Sequence, residues 1–268
     1  MFYGKNKKEV YDFIVSMGAA CFCTTTLRRC GLQDYSYPYD WIGGVDLKGR
    51  IEEVINGFPD WFNKEYFVLK GHRTHPEPCD IYLDTKKDLL FVHDFPLNVP
   101  IDESFQTVKS RYERRTSRMV EYINNSKKVL LVYMEPIENS GNFYTLEYLS
   151  ECKKILTDNY KDKEFNIKYF YCTKNEPIYI EKDGIEIFGF NYEPLTPEPL
   201  PGDVNFKEII KRFKNVKLKR KFTFKRLMDF IFSYRVSKRD YTTKITVTIL
   251  GIKMQKKIKK PLEIKNNG

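Results

Sequence analysis

Apolar residues in the first two thirds of the chain form two alternating patterns. Short, mostly apolar runs predict strands at 12–17, 80–83, 89–92, 128–134, 167–172 and 185–190. Apolar residues at three- and four-residue spacing predict helices at 19–30, 46–57, 104–124 and 145–160. Because strands and helices mostly alternate, the sequence predicts an α/β fold, with a mostly parallel sheet flanked by helices.

A proline-rich segment at 191–201 ends this pattern. Proline fixes φ and removes backbone donors, so the segment is predicted to be extended and to leave the core. Beyond it the sequence predicts a short helix at 206–213, an aromatic basic helix at 224–233, and a hairpin of strands 244–250 and 252–257. The predicted domains are therefore an α/β catalytic-type domain at 1–201 and a basic amphipathic appendage at 202–268.

Charge is divided unevenly between these two parts. Residues 207–268 contain 20 Lys and Arg against 4 Asp and Glu, whereas the other 206 residues contain 26 against 32. This asymmetry predicts an anionic partner for the C-terminal part. Basic residues at 217–239 are interleaved with aromatic and aliphatic ones, which favours an anionic membrane surface over nucleic acid. The alternative is a small packed subdomain with a solvated basic face.

Other features of the composition limit the location and chemistry. No apolar run is long enough to span a bilayer, and the N-terminus has no signal-type apolar segment. The six cysteines are scattered, which is typical of a reducing compartment. The predicted location is cytoplasmic, peripheral at the inner face of a membrane. Because the chain has no glycine-rich phosphate loop or dinucleotide motif, no cofactor is expected.

Cys21 and His93 are the main candidates for catalysis. Cys21 is predicted in the first turn of a helix that follows a strand ending at Gly18, and a helix N-terminus favours the thiolate form of a cysteine. His93 is predicted at the end of strand 89–92. Since the carboxyl ends of parallel strands share one edge of a sheet, the two side chains are predicted to meet as nucleophile and base. The alternative is a buried structural cysteine and a histidine that caps a strand end.

Several charged residues could support this pair. Asp40, beside prolines and aromatics, could orient His93 or bind a substrate hydroxyl, or could simply accept hydrogen bonds from its own loop. Glu135 follows strand 128–134 and is predicted at the same edge. Four arginines on one helix could clamp a phosphate or carboxylate, or could form a solvated face; they are Arg111, Arg114, Arg115 and Arg118.

The spacing of His72, His75 and Cys79 superficially suggests a metal site. Zinc needs three or four converging ligands, and Asp80 is the only obvious fourth. Prolines stiffen this loop, so no metal is predicted.

Four short motifs resemble those of a bacterial family of papain-like cysteine peptidases. They lie within Ile14–Cys21, Leu27–Leu32, Tyr37–Ile42 and Phe91–Phe95, in the same order as in that family. The resemblance covers about residues 12 to 135. It implies that Cys21 is the nucleophile and His93 its base. It also implies Asp40 or Asp94 as a third member.

The C-terminal segments 244–254 and 256–260 resemble tails of bacterial enzymes that synthesise lipopolysaccharide and capsule. Together the two resemblances imply a Cys/His hydrolase or acyl- or glycosyl-type transferase of cell-surface polysaccharide biosynthesis. Its expected substrate is a glycan or glycolipid, bound by Trp41, Arg111, Arg115 and Glu135. The alternatives are a glycosyltransferase-like enzyme with a structural Cys21, and a non-enzymatic scaffold docked on the membrane.

Overall fold

A computed structural model describes residues 8–19, 21–75, 77–135, 144–173, 177–191, 204–220, 231–239, 242–250 and 252–259. The chain divides into two compact units, 1–219 and 220–268. The predicted proline-rich exit from the core lies almost wholly outside the described residues.

The described elements are mixed helices and strands, which confirms the α/β prediction. The helices are α1 (Cys21–Arg29), α2 (Leu47–Ile55), α3 (Ile101–Asn124), α4 (Leu146–Asn159) and α5 (Val204–Arg212). The strands are β1 (Glu9–Tyr11), β2 (Phe13–Ala19), β3 (Ile42–Gly44), β4 (Phe67–Arg73), β5 (Cys79–Asp84), β6 (Leu89–Pro96), β7 (Lys128–Glu135), β8 (Glu164–Thr173), β9 (Ile178–Lys182), β10 (Ile185–Asn191), β11 (Val216–Leu218), β12 (Phe232–Arg239), β13 (Thr242–Ile249) and β14 (Ile252–Lys259). Short 3-10 helices lie at Pro38–Asp40 and Lys64–Tyr66.

The larger sheet of the first unit has five strands in the order β2-β7-β8-β10-β9. Its first four strands are parallel, and β9 pairs antiparallel with β10 at the edge. In β7, Leu131 packs into a core shared with α2, α3 and α4, and Val132 into a core shared with α1. A strand covered on both faces needs apolar residues throughout, which explains the continuous run at 128–134. For this sheet the predicted parallel arrangement flanked by helices is confirmed.

A second sheet, antiparallel and in the order β3-β6-β5-β4, was not predicted. Its hairpin β5–β6 turns over the polar residues 85–88. Parallel neighbours need a crossover of a dozen or more residues, and this connection is too short for one. The strand that carries His93 therefore belongs to an antiparallel sheet, which corrects its predicted place in the parallel sheet.

The end of the first unit corrects the predicted domain boundary. β11 pairs in parallel with β1, from Glu9 opposite Val216 to Tyr11 opposite Leu218. Ile209, Phe213 and Val216 are buried in the core that also holds α1. Residues 204–219 therefore belong to the first unit, although the sequence pattern assigned 202–268 to the appendage.

The second unit contains a three-stranded antiparallel sheet in the order β12-β13-β14. Strands β13 and β14 confirm the predicted hairpin around position 251. The predicted helix 224–233 is wrong at Phe232 and Ser233, which begin β12, and its residues 224–230 lie outside the described part of the chain. No helix in the described residues is long and apolar enough to cross a membrane.

Candidate active site

Cys21 is the first residue of α1 and follows an irregular end of β2. Between Ser16 and Ala19 the pairing of β2 with β7 shifts register, so β2 is bulged there. Gly18 in this bulge has φ of +106°, a conformation that side chains of L-residues rarely adopt. The Cys21 side chain is half-buried. Its predicted position, in the first turn of a helix at the carboxyl end of a strand, is confirmed.

Buried Arg50 supports the turn that carries Cys21. A side chain at position 18 would overlap the Arg50 guanidinium, so Gly18 is also required by space. Nη1 of Arg50 donates to the Met17 carbonyl at 2.7 Å, Nε to Val45 at 2.8 Å, and Nη2 to Gly44 at 3.1 Å. A buried guanidinium is stable only when its donors are satisfied, and these carbonyls satisfy three of them. Arg50 therefore ties the end of β2 to the start of α2.

The cysteines near Cys21 have different environments. Cys23 is fully buried, its thiol donates to the Val132 carbonyl at 3.3 Å, and burial raises its pKa to about 12. Cys30 is half-buried just beyond the end of α1, and burial raises its pKa as well. Of these three thiols, only Cys21 combines a helix N-terminus with partial exposure, as a nucleophile requires.

Trp41 connects the helix of Cys21 with the strand of His93. Arg28 lies seven residues after Cys21, nearly two helical turns, so the two share one face of α1. The guanidinium carbon of Arg28 is 5.7 Å from the centre of the Trp41 ring. The ring centres of Trp41 and His93 are 5.6 Å apart in an edge-to-face arrangement. The Arg28 side chain, on the same face of α1 as Cys21, thus contacts Trp41 beside His93, and the meeting of Cys21 with His93 stays a prediction.

His93 lies within β6, not at its end as predicted. Between Asp80 and Tyr82 the pairing of β5 with β6 shifts register, so residues 92–94 lie opposite a single residue of β5. Such bulges redirect side chains and are frequent next to active sites. The bulge therefore sets the direction of the His93 side chain.

Arg73 and Glu77 are the charged partners of His93. Nη2 of Arg73 is 2.9 Å from Nδ1 of His93, and Oε2 of Glu77 is 3.5 Å from the same nitrogen. Because a guanidinium only donates, the contact with Arg73 requires Nδ1 to accept and places the ring proton on Nε2, whereas a hydrogen bond to the Glu77 carboxylate requires the proton on Nδ1. Burial, followed by the charge of Arg73, lowers the pKa of His93, while Glu77 opposes the shift. The shift favours the neutral ring, which is the form that a general base needs.

Asp40 is fully buried and does not orient His93. Its Oδ2 accepts from Nε2 of Gln33 at 2.7 Å and from the Tyr37 backbone at 3.0 Å, and Arg28 lies 3.5 Å away. Burial raises the pKa of Asp40 to about 6, against the lowering by these partners. The carboxylate thus fixes the loop before Trp41, the alternative that the sequence left open.

Asp94 contacts α3 and makes no hydrogen bond to His93 in the described residues. Its Oδ1 accepts from Arg111 at 3.0 Å, and its Oδ2 accepts from the Tyr112 hydroxyl at 2.7 Å. Arg115 lies 3.8 Å from the same carboxylate. Asp94 therefore anchors the bulge of β6 to α3, and its oxygens are already occupied.

The predicted arginine row on α3 is divided among several partners. Arg111 and Arg115 pair with Asp94, whereas Arg118 donates to the Ser36 carbonyl at 2.9 Å. Arg114 is exposed. Three of the four therefore fasten α3 to neighbouring segments, and binding of substrate by Arg111 and Arg115 stays a prediction.

Glu135 lies at the same sheet edge as Cys21, as predicted. Ala19 of β2 pairs with Met134, the residue before Glu135. The Tyr169 hydroxyl donates to the Glu135 carboxylate. Burial raises the pKa of Glu135, while the bond from Tyr169 and the charge of Arg50 oppose the shift. Glu135 is thus a partly desolvated carboxylate near the start of α1.

The loop around residue 75 contributes to the His93 environment. Nδ1 of His72 lies 2.7 Å from Oδ1 of Asp80, and the Cys79 thiol donates to the Val92 carbonyl at 3.1 Å. Within the described ranges, no three metal-binding side chains gather. Sequence reasoning considered this loop only for metal and missed Arg73 and Glu77. Its strand register, with Arg73 opposite Cys79, is what brings them to His93.

Comparison with known proteins identifies the class and the family. A model of the family described as "Putative papain-like cysteine peptidase (DUF1796)" matches residues 12–175, which include Cys21 and His93. This match covers more than half of the chain, and the chain belongs to this family. A curated relative, "Uncharacterized protein R408" of Acanthamoeba polyphaga mimivirus, is 23% identical over 175 residues. That alignment covers 60% of this chain and 77% of the viral protein.

Proposed function

We propose that the chain is a cysteine-dependent hydrolase or transferase in which Cys21 is the nucleophile. The observation that carries the proposal is the half-buried thiol at the first residue of α1, at the carboxyl end of β2. A helix N-terminus stabilises a thiolate, and Arg28, on the same face of α1 as Cys21, contacts Trp41, whose ring lies beside His93. Membership of a family described as papain-like cysteine peptidases supports the same chemistry.

In this proposal His93 takes the thiol proton. The contacts of Nδ1 define two tautomers: one accepts from Arg73, and the other donates an Nδ1 proton to Glu77. Only the second leaves the Nε2 lone pair available for the Cys21 proton. The thiolate then attacks a carbonyl carbon, a thioester forms, and the leaving group departs with the proton held by His93. Water or an acceptor alcohol cleaves the thioester and restores the thiol.

We keep in the proposal the substrate and the biological role that the sequence predicted. A glycan or glycolipid substrate, and a role in bacterial cell-surface polysaccharide synthesis, are supported only by the resemblance of the C-terminal tail. In the two alternatives, a glycosyltransferase-like enzyme and a scaffold, Cys21 is structural. Those alternatives therefore predict an unreactive Cys21, which a chemical test distinguishes.

The test compares Cys21 with Cys30, a matched half-buried thiol at the other end of α1. At pH 7, iodoacetamide should alkylate Cys21 about tenfold faster or more, since only Cys21 has the helix N-terminus. p-Nitrophenyl acetate should leave an acetyl group on Cys21, seen by mass spectrometry and slowed in His93→Gln. Cys30→Ala should change neither result. Equal, slow labelling of both thiols would refute the nucleophile.

A further inference from the structure

The second unit has an apolar cluster at one end of its sheet. In the register of β12, β13 and β14, Ile249 lies opposite both Phe232 and Ile252. Leu250 follows Ile249 at the turn, and its backbone N–H donates to Ile231. These five residues are called the apolar tip. Their exposed fractions are 42% for Ile231, 57% for Phe232, 43% for Ile249, 64% for Leu250 and 69% for Ile252.

The backbone conformation at Leu250 is strained for a leucine, so the tip has an apolar side chain at a position that does not favour one. Leu250 has φ of +47°, the left-handed region. A two-residue hairpin turn needs such angles, and Asn or Gly adopts them with little strain, whereas Leu does not. Strain of this kind is common where a side chain has a function other than folding.

The charge of the second unit indicates which partner the apolar tip contacts. Residues 220–268 contain 14 Lys and Arg against 3 Asp and Glu, a net charge of +11. Lys256 is exposed on β14, a few residues from the tip. Large exposed aliphatic side chains beside many cations are typical of elements that enter the interface of an anionic bilayer. Nucleic acid would also attract this charge through its phosphates, but four of the five tip residues are aliphatic and can neither hydrogen-bond to bases nor stack on them, which favours lipid.

We propose that the apolar tip inserts into the surface of an anionic lipid bilayer, while the lysines and arginines of the second unit attract that surface. The inference is independent of the proposed cysteine chemistry. It assigns the membrane contact to five residues at the end of one sheet, beyond the expectation of a basic tail.

The experiment measures cosedimentation of the full chain with vesicles. The vesicles are pure phosphatidylcholine, or an equal mixture of phosphatidylcholine and phosphatidylglycerol. The test variant is Leu250→Asn/Ile252→Thr, which removes two apolar side chains, keeps a strand former at 252 and relieves the strain at 250. The matched control is Val68→Thr/Leu69→Thr, which removes two exposed apolar residues from β4 in the first unit.

Wild type and the control should bind the mixed vesicles alike, more tightly than pure phosphatidylcholine and less tightly at high salt. The affinity of the tip variant for the mixed vesicles should be lower than that of wild type by about tenfold or more. Its melting temperature should be equal to that of wild type or higher. In Leu250→Trp, brominated lipid should quench the added fluorescence. Any of three outcomes would overturn the proposal: the tip variant binds the mixed vesicles as tightly as wild type, wild type does not bind them, or the tip variant differs from wild type only by losing self-association.

Discussion

At the residue scale, Asp40 is a carboxylate whose hydrogen bonds stabilise a loop although the burial of its charge is unfavourable. The carboxylate is fully buried beside Gln33 and the Tyr37 backbone, and burial raises its pKa from 3.8 to about 6. The folded protein thus retains a proton that the unfolded chain has already lost. Between about pH 4 and pH 6 the folded state binds more protons, so this group should lower the free energy of unfolding as pH rises.

Replacing Asp40 with Asn should remove this pH dependence. A shift of about two units corresponds to about 3 kcal/mol, so the free energy of unfolding of wild type should fall by up to that amount relative to Asp40→Asn between about pH 4 and pH 6. The amide keeps an oxygen that can accept from Gln33 and Tyr37, which limits other changes. Urea denaturation across this range measures the difference, and parallel curves for the two proteins would contradict the assignment.

The position of Cys21 was predictable from sequence, whereas the partners of most candidate residues were not. Gly18 ends a strand and Cys21 begins a helix, and both signals are local. The contact of Arg73 with His93 joins residues twenty positions apart, and depends on the register of β4 with β5 and on a bulge in β6. Local periodicity contains no information on strand register.

At the element scale, the antiparallel sheet and the loop after β4 place two opposite charges beside the half-buried His93 ring. The end of β4 places Arg73, and the loop after it places Glu77, at the same ring nitrogen. Arg73 lowers the pKa of His93, whereas Glu77 and the nearby Asp94 raise it. The two side chains therefore act in opposite directions on both the charge and the tautomer of the proposed base.

Single substitutions at these positions should shift the pKa of His93 in opposite directions. Arg73→Met removes a positive charge and should raise it, and Glu77→Gln removes a negative charge and should lower it. Proton NMR titration of the ring measures both shifts, with His93→Gln to assign the signal. Arg114→Met, an exposed arginine on α3, is the control and should leave the titration unchanged. A shift of the same sign in both variants would disprove the arrangement.

Helices were easier to predict than sheets in this chain. The predicted bounds of α2, α3 and α4 agree with the structure within a few residues because their apolar positions repeat locally. The antiparallel sheet was missed because β3 has only three residues, and because β4 is apolar only at 67–69 and continues with Lys, Gly, His and Arg at 70–73. The polar turn at 85–88 indicated a hairpin, but it did not show which further strands pair with that hairpin.

At the scale of the whole molecule, the boundary between the two units follows contacts and not composition. Prolines and the start of the basic segment suggested a boundary after residue 201, yet α5 and β11 supply buried residues to the first unit. The basic segment also crosses this boundary, because residues 207–219 carry a net charge of +5 within the first unit. With +11 in residues 220–268, the first unit has a net charge of −1.

The position of the boundary predicts how two shortened chains will differ. A chain of residues 1–219 keeps β11 paired with β1 and should unfold cooperatively, with near-native near-ultraviolet circular dichroism. A chain of residues 1–201 loses the buried side chains of Ile209, Phe213 and Val216. At about 2 kcal/mol for each, the loss approaches the whole stability of a small domain. Thermal unfolding should therefore occur at a much lower temperature in the 1–201 chain, and equal melting temperatures would show that 204–219 is only an appendage.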